Sequence, residues 1–385
     1  MKYFLIVGEK SGDLHASKLM RELKKVDPQA DFSYFGGDAM QAQGGTLLRH
    51  HQDLAFMGFW DVILHLRKIV SYIKECKQAI AECNPDLIIG VDYSSFNLKI
   101  AQWAASQNLL YYHYIAPKTW AWKESRLPKI KKYFKRTFCI FPFEKDYFAK
   151  FDYPVHYVGH PVVEAVKEHQ VNPHFLTDNK LSNKPIIALL PGSRKQEIDR
   201  MLSFMASIAS SFSSYQFVVG AVTSYPKSYE QGIKEKYPVS IVYDQTYDLL
   251  AHATAAVAKS GTVTLEAALF HVPQVTIYLT SNFNYFLLKA ILPKRLTYVT
   301  PVNLIDNKEV VKELLRKKET TAPRLKKELQ AILGDDKEKM LEGYREVEKL
   351  LSPKSKVAHH LANLIYQSYK EDTAATANTP ARSKP

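Results

Sequence analysis

Short apolar runs alternate with amphipathic stretches along this chain, in two successive series. "KYFLIVG", "DLIIGVD", "LYYHYIA" and "TFCIFP" read as buried strands, rich in the Ile, Val, Tyr and Phe that suit a pleated surface. Helical spacing fills the gaps, as in "ASKLMRELKKV" and "DVILHLRKIVSYIKECKQAIAE". A second series follows "HYVGHPVVEAV": "PIIALLPG", "YQFVVGAV", "AAVAKSG" and "QVTIYL". Such alternation predicts parallel sheets with helices on both faces. The expected fold class is α/β, with two Rossmann-like doubly wound domains, a cleft between them and a helical C-terminal segment. The polar stretch "HQVNPHFLTDNKLSNKP" marks the boundary, giving a first domain over 1–160 and a second over 161–352. From about Lys308 the pattern is wholly helical. Pro353 breaks it before a last helix over 353–370, and the apolar-poor residues 371–385 are expected to be disordered.

Composition narrows the function classes. With 385 residues, 46% of them hydrophobic, there is material for two ordinary cores. Cys76, Cys83 and Cys139 form neither C-x-x-C pairs nor a disulfide framework, which points to a reducing, cytoplasmic compartment. No stretch approaches the roughly 20 apolar residues that span a bilayer, and "YFLIV" is too short for a signal peptide's apolar region. The net charge of +13 fits nucleic acid, anionic lipid headgroups or plain solubility, and charge alone leaves all three open. No zinc-finger spacing, RNP-like sequence or arginine-rich arm supports the first.

The opening loop, "FLIVGEKSGDLHA", has the outline of a phosphate-binding turn but not its chemistry. It is neither G-x-G-x-x-G nor G-K-[ST], and Glu9 and Asp13 stand where phosphates would lie. Two loops of the second half suit an anion better. "ALLPGSRKQEIDRML" runs from a strand through Gly192, Ser193 and Arg194 into a helix, with amides and a cationic fork free for a ligand. On its own it also reads as an ordinary turn with a solvated arginine. In "AVAKSGTVTLEAALF", Ser260, Gly261 and Thr262 open a helix, and Glu266 lies one turn inside, where a carboxylate can accept ribose hydroxyls. An N-cap with a first-turn glutamate is the ordinary alternative. Two such loops in one domain point to a nucleotide diphosphate. No D-x-D, H-E-x-x-H or cysteine zinc pattern occurs, so neither metal nor cofactor is expected.

Asp92 ends the buried run "LIIGVD" and suits a general base; it equally suits a cap for the following helix. "PKTWAWKESRLPKIKKYFKR" sets Trp120 and Trp122 among basic residues, a pattern open to nucleic acid or to a phosphorylated, acylated ligand.

Taken together, "GEKSGDLHA", "FGGDAMQAQGG", "LAFMGFWDVI", "NPDLIIGVDYSSFN", "HYIAPKTWAWKESR", "FPFEKDYF", "VGHPVVE", "LLPGSRKQEI", "SGTVTLEAAL" and "YVTPVNLI" resemble the lipid-A-disaccharide synthase family of GT-B-type glycosyltransferases over nearly the whole chain. The resemblance implies inverting transfer of a sugar from UDP-2,3-diacylglucosamine to the 6-hydroxyl of 2,3-diacylglucosamine 1-phosphate (lipid X). It implies Asp92 as base, and a donor site of Gly192, Ser193, Arg194, Ser260, Gly261, Thr262, Glu266 and Asn303. Acceptor contacts are expected from Glu9, Ser11, Gly12, Asp13, Trp120 and Trp122, with His15 in support. Ser95 departs from the pattern, standing where relatives often carry a second carboxylate. Acylated substrates also imply peripheral contact with the cytoplasmic face of the inner membrane, through Phe56, Phe59, Trp60 and Phe286 beside basic residues. No nucleic-acid partner is expected, and a homodimer stays open. The rival enzyme reading is another GT-B protein using UDP-N-acetylglucosamine, a peptidoglycan-type transferase or an epimerase. Remoter still is a basic RNA-binding protein.

Overall fold

The computed structural model describes residues 1–54, 66–121, 124–192, 195–222, 227–278, 297–315, 319–352 and 355–377. The chain divides into two compact units, Met1–Pro161 joined by Pro353–Pro385, and Val162–Ser352.

The first unit holds a parallel seven-stranded sheet. Its strands are β1 (Lys2–Ile6), β2 (Asp31–Gly36), β3 (Thr46–His50), β4 (Leu87–Val91), β5 (Tyr111–Tyr114), β6 (Arg136–Cys139) and β7 (His156–Tyr157), in the order β3-β2-β1-β4-β5-β6-β7. The second unit holds a parallel six-stranded sheet. It comprises β8 (Ile186–Leu190), β9 (Gln216–Ala221), β10 (Val239–Tyr243), β11 (Ala253–Lys259), β12 (Gln274–Ile277) and β13 (Lys312–Leu314), in the order β10-β9-β8-β11-β12-β13. Both orders are doubly wound, as the alternating pattern predicts.

The quoted apolar runs became the central strands, where every side chain is covered. Leu87, Ile88, Ile89 and Val91 of β4 are fully buried, as are Ile187, Ala188 and Leu189 of β8. Each large aliphatic side chain so buried contributes about 1.5–3 kcal/mol. Edge strands read less clearly because their faces are mixed. β13, with the sequence KEL, interrupts the region expected to be wholly helical.

The last helix also corrects an expectation. It runs Val357–Ala377, past the Lys370 at which order was expected to end. Val357, Ala358, Leu361, Ala362 and Ile365 form a buried stripe, and the helix packs on Lys10–Val26 of the first unit. Its C-terminal end is held by charge rather than by apolar area. Asp372 is buried, accepts the Tyr112 hydroxyl at 2.6 Å, and takes Nη2 and Nε of Arg136 at 2.8 and 3.1 Å. Among the described residues no helix is long and apolar enough to cross a membrane.

Candidate active site

In a doubly wound sheet, loops diverge where the strand order reverses, and the crevice at the carboxyl ends of those strands takes ligands. The reversal falls between β1 and β4 in the first unit and between β8 and β11 in the second. Glu9 follows β1, Asp92 follows β4, Gly192 follows β8 and Ser260 follows β11. Each unit therefore brings two of the sequence-selected loops to its own switch point.

In the first unit Asp92 and Tyr93 occupy the left-handed region, at φ 49° and 44°. Two consecutive non-glycine residues there store about 1–3 kcal/mol each, which the surroundings must hold. Asn97 does so by donating Nδ2 to the Asp92 carbonyl at 2.8 Å, while the Asp92 amide donates to the Tyr114 carbonyl at 2.9 Å. The Tyr93 ring lies on Gly8, where an added Cβ would sit 2.3 Å from the ring. That contact explains the first glycine of "GEKSGD": space, not conformation, excludes a side chain. Burial, and then the neighbouring charge of Glu9, raise the proton affinity of Asp92; Lys118 opposes both. A half-buried carboxylate so tuned is a stronger base than a solvated one. Glu9 is the N-cap residue of the helix Lys10–Val26, and its Oε1 accepts the Ser11 hydroxyl at 3.1 Å.

Two neighbours expected to meet an acceptor belong instead to the framework. Asp13 is buried, and its carboxylate accepts the amides of Gly37, Ala39 and Met40 at 2.8, 2.9 and 3.2 Å. It fixes the "FGGDAM" turn, a framework role that the acceptor expectation did not include. Gly12 is also buried, turned toward Val7 and the Val91 carbonyl. Trp120 donates Nε1 to Glu144 at 3.0 Å and sets its ring edge-on to Phe143, which leaves ring surface rather than a donor for a ligand. Glu144 is buried; burial pushes its carboxyl up to about 7 against the hydrogen bonds from Trp120, Phe141 and Ile140. Burial likewise holds His15 down to about 4, neutral near pH 7. At Ser95 the structure supplies a guanidinium: Arg126 donates Nη1 to the hydroxyl at 2.9 Å.

In the second unit Gly192 has φ 105°, a conformation that requires glycine where the backbone turns from β8 toward the helix Lys195–Ala206. Ser260 is buried, its amide donating to the Ile277 carbonyl at 3.0 Å. Gly261 caps the helix Thr262–Leu269, Thr262 is exposed, and the Thr264 hydroxyl donates to the Gly261 carbonyl at 2.7 Å. One turn in, Glu266 is half-buried and accepts the Tyr247 hydroxyl at 3.2 Å. Burial raises its proton affinity and the tyrosine bond lowers it.

Asn303 is the third correction. It is fully buried with both ends of its amide engaged. Oδ1 accepts the amides of Val310 and Val311 at 2.8 and 2.9 Å; Nδ2 donates to the Val311 carbonyl at 2.9 Å and to Glu313 at 3.0 Å. These bonds tie the helix Pro301–Asp306 to edge strand β13 and engage both amide hydrogens of Asn303 within the protein. Ser193, Arg194, Trp122, Phe56, Phe59, Trp60 and Phe286 lie outside the described residues. Among the described residues no cluster of three His, Cys, Asp or Glu side chains could hold a metal ion.

Sequence reasoning passed over Tyr93, Glu144 and Tyr247. Glu144 carried a signal, a glutamate three residues after the N-cap Phe141. Tyr93 and Tyr247 carried none, because their partners are remote in sequence.

Similarity to known proteins accords with this geometry. The chain is 30% identical over 357 residues to the lipid-A-disaccharide synthase of Solibacter usitatus, covering 91% of this chain and 93% of that protein. It is 32% identical over 355 residues to the one from Myxococcus xanthus, covering 90% and 92%. Among solved structures, an S. aureus MnaA–UDP co-structure superposes with a TM-score of 0.65 at 12% identity, covering 100% of both chains. The calicheamicin glycosyltransferase CalG4 does so at 0.61 and 15%, covering 97% of this chain and 99% of that one. Those likenesses are of fold, the GT-B architecture of two doubly wound units. A family model for lipid-A-disaccharide synthetase matches residues 3–366, and the chain belongs to that family.

Proposed function

We propose that this glycosyltransferase moves 2,3-diacylglucosamine from UDP to the 6-hydroxyl of 2,3-diacylglucosamine 1-phosphate, giving the β(1→6)-linked disaccharide 1-phosphate and UDP. Asp92 takes the hydroxyl proton as the oxygen attacks the anomeric carbon from the face opposite the leaving group. The new C–O bond forms as the bond to the diphosphate breaks, which inverts the centre. UDP departs as a stable anion and needs no matching acid, unlike the leaving group of a glycoside hydrolase. Gly192, Ser193, Arg194 and the amides at the start of the helix Thr262–Leu269 meet the charge on the diphosphate, and Glu266 accepts from the ribose. Glu9 and Ser11 face the acceptor sugar.

The observation that carries the reading is the strained Asp92–Tyr93 turn at the first switch point. It sets a carboxylate of raised basicity where a doubly wound sheet takes its ligand. General-base assistance of this kind accelerates transfer by about 10²–10⁴-fold. Incubation of the purified protein with both acylated glucosamines should yield disaccharide and UDP, and Asp92→Asn should lose about that factor in kcat. Equal use of unacylated UDP-N-acetylglucosamine, or epimerisation of it, would favour the rival reading. The fatty chains draw the enzyme to the cytoplasmic face of the inner membrane through the Phe56–Trp60 and Phe286 neighbourhoods. Serine at Phe59 and Trp60 should then reduce binding to anionic vesicles while the protein stays folded.

A further inference from the structure

We infer that Tyr247 is a positioning residue for nucleotide recognition, its hydroxyl holding Glu266 in the one orientation that meets the hydroxyls of a ribose. The inference rests on the reading of Glu266 given above.

Glu266 lies inside the helix Thr262–Leu269, one turn past the Ser260–Thr262 loop at the second switch point. A glutamate side chain on a helix has three rotatable bonds, and fixing them on ligand binding costs affinity. Among the described residues its hydrogen-bond partner is the Tyr247 hydroxyl, 3.2 Å from Oε1. That bond leaves Oε2, and the second lone pair of Oε1, to accept from a vicinal diol. Burial favours the protonated carboxyl, which could offer an O–H but one acceptor fewer; the tyrosine proton favours the ionised form.

The anchor is itself anchored. Tyr247 belongs to the helix Thr246–His252, and its ring stands edge-on to His169 and to Phe270, each with centroids 5.3 Å away. His169 Nε2 lies 3.1 Å from Asp248 Oδ1, which also accepts the Asn172 amide at 2.7 Å. The ring is therefore packed independently of its hydroxyl, and Tyr247→Phe removes one hydrogen bond while leaving those contacts. The same packing explains why a tyrosine, rather than a flexible polar side chain, holds the carboxylate.

Calorimetric titration with UDP, 2′-deoxy-UDP and 3′-deoxy-UDP tests the inference. The wild-type protein should prefer UDP over each deoxy analogue. Tyr247→Phe should bind UDP about three- to tenfold more weakly, the effect of one hydrogen bond, while its affinity for the analogues falls less, so that the ribose preference shrinks. Its UDP affinity should also fail at a higher pH on the acid side than in the wild type, because Glu266 then protonates more readily. An equal loss for all three ligands, or no loss for UDP, overturns the positioning role. Glu266→Gln separates the two levels of the argument. Should it keep the full ribose preference, the reading of Glu266 fails and the inference with it. Should it lose the preference while Tyr247→Phe keeps it, Glu266 stands and Tyr247 does not.

Discussion

Replacing Asp13 with alanine distinguishes a framework carboxylate from one that binds substrate. The side chain accepts three amides, at 2.8, 2.9 and 3.2 Å, and is itself buried. A hydrogen bond to a charged group contributes about 1.5–3 kcal/mol, but three donors on one carboxylate share its charge and do not add fully. A more direct estimate follows from what is left behind. The bonds to Gly37 and Met40 are buried, and an orphaned buried donor costs about 1–3 kcal/mol; the bond to Ala39 is part-buried, and water can replace it. The sum is about 2–6 kcal/mol, a large share of the 5–15 kcal/mol typical of a domain. With a urea slope of about 2 kcal/mol/M, the first unit's transition should move down by about 1–3 M. Gly37→Ala should act in the same direction, since a Cβ there would lie 2.4 Å from His51 and 2.9 Å from Asp13 Oδ2. Urea denaturation followed by circular dichroism measures the shift, and acceptor KM measured on the folded fraction completes the test. A transition within about 0.5 kcal/mol of wild type, together with a raised acceptor KM, would return Asp13 to the binding site and refute the reasoning.

Four other substitutions probe the remaining assignments. Glu9→Gln removes a negative charge that raises the Asp92 carboxyl, so the acid limb of the kcat/KM profile should move to lower pH; a limb that stays put or moves up contradicts the coupling. Asn303→Ala should cost the second unit about 2–4 kcal/mol in thermal or urea unfolding yet leave UDP affinity on the folded protein unchanged, whereas a selective loss of UDP binding would restore it as a ligand contact. Ending the chain after Lys370 removes Asp372 and strands the Tyr112 hydroxyl and Arg136, which should lower the first unit's denaturation midpoint; an unchanged midpoint means the last turns of the helix do not matter. Glu144 titrates near 7 when folded but near its ordinary 4.5 when unfolded, so the native state holds the proton more tightly between those values. First-unit stability should therefore fall by about 3 kcal/mol as pH rises from 4.5 to 7, and Glu144→Gln should flatten that slope.

The alternating pattern made the central strands and both switch-point loops readable, because strands buried on two faces must be apolar along their length. It missed β13, whose Lys-Glu-Leu sequence has one buried side chain, Leu314. It ended the last helix early because Asp372 looked solvated in sequence; a carboxylate matched to Arg136 and Tyr112 is a buried anchor that composition cannot reveal. Site residues divide in the same way. The strand-end placement of Asp92 and Gly192 and the helical placement of Glu266 were legible, since a buried apolar run or a Ser-Gly-Thr helix start comes before each. Asp13 and Asn303 were misassigned for one physical reason. Polar side chains inside a motif can serve the backbone rather than a ligand. The amides of Gly37, Ala39 and Met40 that claim Asp13 are more than twenty residues away, and those of Val310 and Val311 that claim Asn303 lie beyond the end of its own helix.

Electrostatics also argues for dividing the substrates between the units in one direction and not the other. Both sheets wind alike, so topology alone assigns neither loop pair to the nucleotide. The first unit's switch point carries Glu9 and Asp92, close enough for one carboxylate to raise the other's proton affinity. A diphosphate brought to that pair would add its own negative charges to a repulsion that Lys118 opposes but does not overcome. It would also raise Asp92 further, toward a protonated form that cannot act as a base. A neutral alcohol suffers neither penalty, and it gains from the same repulsion because a more basic carboxylate accepts its proton more readily. The second unit's switch point presents a left-handed glycine turn and an exposed threonine at a helix start, with Glu266 a turn further in. On the proposed assignment a diphosphate there would meet partial positive charge, and Glu266 would be left to the uncharged ribose.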